Sequence, residues 1–477
     1  MRSKRFSNYK KGYRKYKNSK KRYQRGGANG GGGGGSVNLK NTELDYLLID
    51  VGSTKAFPKF IPYPTAAGFS ADNPIRVSDR VTHVEGILHA YDDHYWVIPD
   101  NTAAISIHSA YPRTKTPAIA NASNLVVTSM NLGNYFNGAL ENKRKKNKGF
   151  PTARGAKSMA GFTLQTEKIV SALVAMDADI IAVMEVENDG YDTDSAISSL
   201  TRALNEKTKA KSKLQYHYIK PVNRQLIRGK LGRDVIAVGL LYRPQKVSLS
   251  GAARVLDSSS SKGSLFDDRR NRPSLVQTFK FHQHEFVIAV NHFKAKGRPC
   301  NDIEVDTLQG NCNITRYRAA LALAEFLKQS DDSKLPTLIL GDLNAYSQEE
   351  PLLALYAAGF ENLKYEAQFL NNDQPSNNDQ SSNKTQSMER VFPSFSYSFR
   401  GLLGNLDHAL ANAAFLPFIK SVDSWHINSL EDVLLDYSTE DNGHKHPSVD
   451  TYGSPDRYRS SDHDPVVLGI QFPEIRS

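Results

Sequence analysis

The sequence predicts a layered α/β sandwich with a ligand crevice along one edge. Short apolar, β-branched runs alternate with stretches whose apolar residues recur at helical spacing. One after another, the apolar runs end in residues able to do chemistry: Asn131, Glu185, Asn291-His292, Asp342 with Asn344, Asp407-His408 and Asp462-His463. One such ending is usually a cap or a turn. Six of them, following strand after strand, are what a crevice at the ends of strands requires.

Length and charge set the bounds. A chain of 477 residues can bury a large core and has room for two or three domains. No run is long enough to cross a bilayer, and the N-terminus carries no apolar signal-peptide segment. The net charge of +11 is concentrated in a tail. Residues 1–25 hold 12 of the 61 Lys and Arg and no acid, which leaves 49 basic against 50 acidic residues elsewhere. Basic residues in this tail interleave with Phe6, Tyr9, Tyr13, Tyr16 and Tyr23. That pattern suits phosphate neutralisation and base stacking by a disordered arm that binds nucleic acid. Residues 26–36 read as a Gly-rich linker, of the kind also seen in appended extensions.

Residues 37–110 read as a small β-rich module, a barrel or sandwich of OB-like kind, with strands at Ile75–Val81, Val84–His89 and Tyr95–Ile98. Trp96 and Tyr95 are read as core residues more readily than as base-stacking ones. Residues 111–123 are a linker, and 124–473 carry the alternating pattern. There, Leu125–Val127 begins a strand, and Ile169, Leu173 and Met176 mark a helix over Gln165–Met176. Ile180–Met184 is a buried strand, followed by a helix near Ser195–Lys207. Further strands fall at Val235–Tyr242, Phe286–Val290, Thr337–Leu340, Leu406–Ala411 and Val466–Ile470, with a helix over Thr315–Leu327. Residues 370–387 are a polar, low-complexity stretch expected to form a mobile loop.

The chemistry of the strand ends is specific. Carboxylate and amide oxygens suit hard cations, Mg²⁺ before Mn²⁺ or Ca²⁺, and the lack of thiolate or paired-His motifs argues against zinc. His beside Asp suits proton transfer near neutral pH. Asn, Lys and Arg stabilise phosphate oxygens. Together these are the parts of a metal-assisted phosphodiester hydrolase. Cys300 and Cys312 could close a short loop as a disulfide or remain two free thiols.

Six ordered motifs carry a resemblance: Met130-Asn131-Leu132, Met184-Glu185-Val186-Glu187-Asn188, Val290-Asn291-His292-Phe293-Lys294, Gly341-Asp342-Leu343-Asn344, Leu406-Asp407-His408 and Ser461-Asp462-His463-Asp464-Pro465. Together they resemble the endonuclease/exonuclease/phosphatase superfamily, whose fold is a four-layered, DNase I-like α/β (α+β) sandwich. Phe150–Ala156, Asn188–Tyr191, Gly239–Pro244 and Gly310–Arg316 resemble its secreted bacterial nucleases most closely. The resemblance implies a Cys300–Cys312 disulfide and an extracellular or periplasmic enzyme, although the basic arm stands where a signal peptide would be. It further implies that Glu185 is the principal metal ligand, with Asn131 beside it and Asp462 completing or approaching the sphere. His463, oriented by Asp407, would be the general base or would stabilise the attacked phosphate. Asp342 and Asn344 would position the water and a phosphate oxygen. His292, oriented by Asp234, would bind the phosphate or protonate the leaving oxygen. Arg154, Arg316 and Lys294 are the phosphate-contact candidates. His408 alternates with Asp407 along a strand, faces the other way and is read as structural.

The expected activity is therefore a monomeric, metal-dependent nuclease that degrades DNA without strong sequence preference, with RNA as a further substrate. Two alternatives remain at this level: the same fold acting on a phospholipid or inositol phosphate, and a non-catalytic protein whose arm coats nucleic acid.

Overall fold

The computed structural model describes residues 47–50, 60–91, 94–139, 148–208, 215–260, 265–300, 308–329, 334–364, 394–437 and 452–474. The basic arm, the Gly-rich linker and the 370–387 stretch lie outside these residues. The N-terminal β-rich segment holds β1 (Leu47–Ile49), β2 (Arg80–Thr82), β3 (Gly86–Tyr91), β4 (His94–Pro99) and β5 (Ser106–His108). Among the described residues they form a three-stranded sheet, β1-β4-β3, and a β2-β5 pair. The strand expected at Ile75–Val81 is shorter than the pattern suggested. Ser78 takes a left-handed φ of 72°, and Arg76 is drawn out of any ladder into an ion pair with Glu431.

Two six-stranded sheets follow. In the first, β6 (Leu125–Tyr135) and β7 (Ile180–Glu187) lie parallel, joined by α1 (Met159–Met176). The helix α2 (Ala196–Thr208) and the strands β8 (His217–Tyr218) and β9 (Ile236–Tyr242) continue it. The second sheet starts with β10 (Ser248–Leu256), β11 (Arg272–Phe281) and β12 (His284–His292). A crossover through α3 (Asn313–Lys328) leads to the parallel neighbour β13 (Thr337–Asp342). Next come α4 (Glu350–Ala357), β14 (Phe360–Asn362), the small hairpin β15 (Tyr397–Phe399) and β16 (Leu402–Gly404), and β17 (Asp407–Asn412). Finally β18 (Ile419–Ser424) and β19 (Val466–Ile470) return to the first sheet. The strand orders are β18-β19-β6-β7-β9-β8 and β10-β11-β12-β13-β17-β14.

Alternation along each strand builds the layers. Ile180, Ala182 and Met184 of β7, and Leu338 and Leu340 of β13, meet in the core between the sheets. Their neighbours Ile181 and Val183 face Ile169 and Leu173 of α1, while Ile339 faces Ala319 and Leu323 of α3. The result is helix, sheet, sheet, helix, the expected four layers. Leu340 is fully buried, so truncating it to Ala would cost about 2–5 kcal/mol. Helix α1 starts where Ser158 accepts from the Gly161 N–H and stops at Asp177, a left-handed residue. Both crossovers run from the end of one central strand to the start of its parallel partner, so the working ends of β6, β7, β12 and β13 gather at one edge.

β10 and β11 gave no sequence signal. β10 carries Ser, Arg and Gly on an irregular stretch between Ser250 and Arg254, and β11 opens with Arg272-Pro273.

Candidate active site

Strand register sets the site. His292, the last residue of β12, is paired with Asp342, the last of β13, which is paired with Asp407, the first of β17. From the other sheet come Asn131 near the end of β6, Glu185 in β7, and the Asp462-His463 turn before β19. Side chains link the two sheets: Asn131 Nδ2 donates to Asp342 Oδ2 at 3.2 Å. All of these residues except Asp462 are buried. Glu185 and Asn344 hold left-handed φ angles of 61° and 50°, uncommon for residues with a Cβ and typical of working sites. Gln165 of α1 steadies the end of β6 by donating to the carbonyls of Gly133 and Asn134 at 3.2 and 3.3 Å.

Asp407 and His463 form a hydrogen-bonded pair, the imidazole Nδ1 donating to Oδ2 at 2.7 Å. Ser396 Oγ donates to the same oxygen at 2.7 Å, and Lys364 Nζ donates to the Asp407 carbonyl at 3.0 Å. Asp342 Oδ1 accepts from the Asn344 N–H at 2.9 Å, and Asn344 Nδ2 donates to the Phe293 carbonyl at 3.2 Å. His292 Nε2 lies 3.5 Å from Asp342 Oδ2 and 3.9 Å from Glu185 Oε1. Its Nδ1 is buried with no hydrogen-bond partner among the described residues. The Tyr397 ring packs on the His463 ring at 4.7 Å.

Electrostatics separate the roles of these groups. Burial opposes a charge on His463, but Asp407, Asp462 and Asp342 outweigh it and hold the imidazole well above its usual range. Burial also works against the Asp407 charge, yet His463 and two hydrogen bonds keep its carboxyl below the usual range. Asp342 moves the other way: burial, reinforced by Asp407 and Glu185, pushes its carboxyl to about 7 against the pull of His463. Burial, helped by Arg272, Arg154 and Lys294, drives His292 well below its ordinary value, so it is a neutral imidazole. Burial and then Asp462 raise the Glu185 carboxyl.

Two sequence-based assignments change, and a third point is added. Asp234 does not orient His292; it pairs with Arg272 at 3.2 Å and reaches Arg154 at 4.0 Å. Arg316 does not reach the crevice. It is fully buried and donates to the carbonyls of Lys294, Asn311 and Gln309 at 3.1, 2.6 and 3.1 Å, bracing the loop that Cys300 and Cys312 close. The third is an omission: Arg272, buried beside Asp234, belongs with Arg154 and Lys294. Its position as the first residue of an unrecognised strand gave no warning. Lys294 and Arg154 stay beside the site. Burial and the charges of Arg272 and Arg154 lower the Lys294 ammonium to about 8. His408 faces the other way, as expected, and meets the Ala345 carbonyl at 2.8 Å. Ser396, Tyr397 and Lys364 carry no motif and could be found only through contact with Asp407 and His463.

Donor chemistry fits a divalent cation. The Glu185 carboxylate accepts no hydrogen bond among the described residues, and neither does that of its neighbour Asp462. Two adjoining acids without donors are costly unless a cation joins them, and carboxylate with amide oxygen from Asn131 suits a hard ion. Asp342, Asp407 and His463, whose ligand atoms lie within 4.8 Å of one another, form a second grouping able to hold a metal. Because His463 Nδ1 is already committed to Asp407, we assign that grouping to proton chemistry. Among the described residues, no helix is long and apolar enough to cross a membrane.

Solved structures resembling this one include an endonuclease/exonuclease/phosphatase family protein of Bacteroides thetaiotaomicron, 16% identical, over 73% of this chain and 98% of that one, with a TM-score of 0.42. A mannosyl-6-phosphatase of the same organism is 15% identical over 73% and 100%, at 0.41. The human Nocturnin catalytic domain is 15% identical over 75% and 97%, at 0.41. No curated protein matches the sequence. The sequence profile of the Endonuclease/Exonuclease/phosphatase family matches residues 152–463, the span from the Arg154 loop to His463 that holds nearly every residue of the crevice. The chain belongs to that family of phosphoester hydrolases.

Proposed function

We propose that this protein is a divalent-metal-dependent nuclease that hydrolyses DNA, and RNA as a further substrate, without strong sequence preference. One observation carries the reading: a cationic rim of Arg154, Arg272 and Lys294 stands directly against the buried acids and histidines. Burial first, and then the charges of Arg272 and Arg154 that Asp234 only partly balances, drive the Lys294 ammonium down. A polyanion laid across the rim would relieve that crowding and bring one phosphate over His292, Asp342 and His463.

The residues divide the work according to their charge states. Asp342, with a carboxyl near 7 and an oxygen fixed by the Asn344 N–H, is suited to take a proton from the attacking water. His463, kept protonated and fixed through Nδ1 by Asp407, would donate from Nε2 to a phosphate oxygen as negative charge builds there. His292, neutral, would hydrogen-bond the phosphate rather than act as an acid. Water oxygen bonds to phosphorus as the bond to the leaving oxygen breaks. When bound by Glu185, Asn131 and Asp462, a divalent cation would supply Lewis-acid polarisation and charge neutralisation at the phosphoryl group.

The Cys300–Cys312 disulfide supports an oxidising location, extracellular or periplasmic. We further propose that the protein acts as a monomer, with residues 1–25 as a nucleic-acid-binding arm ahead of the β-rich segment. Digestion of circular and linear DNA, RNA and an inositol phosphate, with Mg²⁺, Mn²⁺, Ca²⁺ or chelator, tests the proposal. The expected result is chelator-sensitive cleavage of DNA that His463→Ala and Glu185→Ala abolish. Undiminished cleavage by either variant, or turnover of the inositol phosphate alone, would overturn it.

A further inference from the structure

The Ser460–Asp464 turn that carries His463 is held on one side by Ser396, Tyr397 and Asp407, the Asp464 N–H donating to the Ser396 carbonyl at 2.7 Å, and on the other by one loop, residues 426–431. Asn428, fully buried, is the centre of that grip. Its Oδ1 accepts from the Ser460 N–H at 2.8 Å, from Ser460 Oγ at 3.1 Å and from the Ser461 N–H at 3.3 Å. Its Nδ2 donates to the His463 carbonyl at 2.7 Å. One amide thus fixes both sides of the turn. Asp464 returns the grip: Oδ1 accepts from the backbone N–H groups of Asn428 and Ser429 at 2.8 and 2.9 Å, and Oδ2 meets His426 Nδ1 at 2.8 Å and Ser429 Oγ.

The 426–431 loop is in turn held from outside the two sheets. Glu431, with no exposed side-chain surface, is clasped by one arginine of the N-terminal segment and one of the linker after it. Arg76 Nε lies 2.7 Å from Oε1, and Arg113 meets Oε1 and Oε2 at 2.9 and 2.5 Å. Arg76 also donates to the His426 carbonyl at 2.8 Å, and the Leu430 carbonyl accepts from the Val77 N–H at 2.8 Å. The His426 ring stacks on Phe395 at 3.9 Å, and the Tyr111 ring meets both edge-on, at 5.5 and 5.1 Å. Residues 76–113 therefore touch the loop at both ends, and the loop touches the turn through Asn428. A buried carboxylate clasped by one buried and one half-buried guanidinium group is a poor way to gain stability, since desolvation offsets most of the attraction, but it fixes geometry.

We infer that the N-terminal β-rich segment, together with the linker after it, is a brace for catalysis: Arg76 of the segment and Arg113 of the linker clamp Glu431, and through Asn428 they set the position of His463. Asn428 is a positioning residue and touches no substrate. The inference rests on the role proposed for His463, and its test separates the two.

The test uses the full chain, with Mg²⁺ and bis(4-nitrophenyl) phosphate or plasmid DNA as probes. Asn428→Ala should lower kcat about 10- to 100-fold, as misplacement of a reacting group by about an ångström does, with KM within twofold of the parent. Arg113→Lys keeps a cation beside Glu431 but loses the fork geometry, and should lower kcat about 3- to 10-fold, again at constant KM. It carries the test alone if Asn428→Ala does not fold. In histidine-selective NMR spectra, the signal that disappears in His463→Ala should be shifted or broadened in both variants. Parental kcat in folded Arg113→Lys and Asn428→Ala, or a loss confined to KM, overturns the brace while leaving the function standing, provided His463→Ala is inactive. Full turnover by His463→Ala would remove the function and the brace together.

Discussion

Asp407 and His463 stand 56 residues apart in the chain, and their side chains meet at 2.7 Å, where the imidazole donates to a carboxylate oxygen that also accepts from Ser396. The carboxylate does two things at once: it fixes which nitrogen faces the crevice, and it keeps the ring charged. Asp407→Asn retains the shape but loses the charge and presents the wrong hydrogen-bond partner to Nδ1. We expect kcat to fall roughly 10²- to 10⁴-fold, with His463→Ala at least as severe. Steady-state hydrolysis of a chromogenic phosphodiester measures it, and an Asp407→Asn enzyme at the parental rate would refute the assigned pairing.

Lys294 should report on the substrate's charge. Its ammonium is lowered to about 8, so as pH rises through that value the rim loses one cation. KM for DNA should rise above about pH 8 in the parent enzyme, while Lys294→Arg, which cannot deprotonate there, should lack the rise. Lys294→Ala should weaken binding at every pH and reduce the salt slope of affinity by about 1. A salt slope unchanged in Lys294→Ala would mean that the side chain meets no phosphate.

The disulfide closes a loop with a sequence separation of 12, and Arg316 ties the same loop to the Lys294 carbonyl. Replacing both cysteines with Ser should cost about 3 kcal/mol, through the freer unfolded chain. Thermal melts with and without reductant check this. The parent should melt lower when reduced and the double-Ser protein should be indifferent; equal melting of all samples counts against a structural bridge.

Asp189, just past the end of β7, has its carboxyl raised to about 6, first by burial, although both oxygens accept from the Ala196 N–H. A raised carboxyl stabilises the fold below the unfolded value and loses that contribution as pH rises through the folded one. Between about pH 4 and 6 the native state therefore becomes less favoured by this group. Asp189→Asn should leave stability unchanged near pH 4 and raise it by about 1 kcal/mol at pH 7.5, the dry-site figure being discounted for partial exposure. Denaturant midpoints at the two pH values would show it, and a variant less stable at pH 7.5 would reverse the sign.

Much of the fold could be read from short-range pattern. β6, β7, β12, β13, β17 and β19 are apolar on both faces because central strands bury nearly every side chain, and α1 and α3 show helical spacing because each covers a sheet with one face only. Other elements escaped. β10 and β18 are edge strands that mix polar with apolar residues, β11 is buried but carries Arg272, Ser274, Gln277 and Thr278 among its apolar residues, and α4 is too short to show a period. The site divides the same way. Asn131, Glu185, His292, Asp342, Asp407 and His463 follow recognisable strands and carry motifs, whereas Arg272, Ser396, Tyr397 and Asn428 sit where no periodicity singles them out.

The chain order of acids, amides and histidines determined the family and the four layers and singled out the candidate reacting groups, since these depend on residue type next to buried strands. Only the tertiary structure decided partnership and charge. Register brought Asp342 between His292 and Asp407 and pushed its carboxyl to about 7, and packing sealed Arg316 away from the crevice and gave Asp234 to Arg272. The physical reason is range. Burial and Coulomb interactions act through space between residues hundreds of positions apart, as from Arg76 and Arg113 to Glu431, and no local pattern encodes which distant charge will arrive. The Ser460–Pro465 turn shows both halves: its composition alone fitted a turn as well as a site, its place after the other motifs made it a candidate, and the 426–431 loop helps fix where His463 stands.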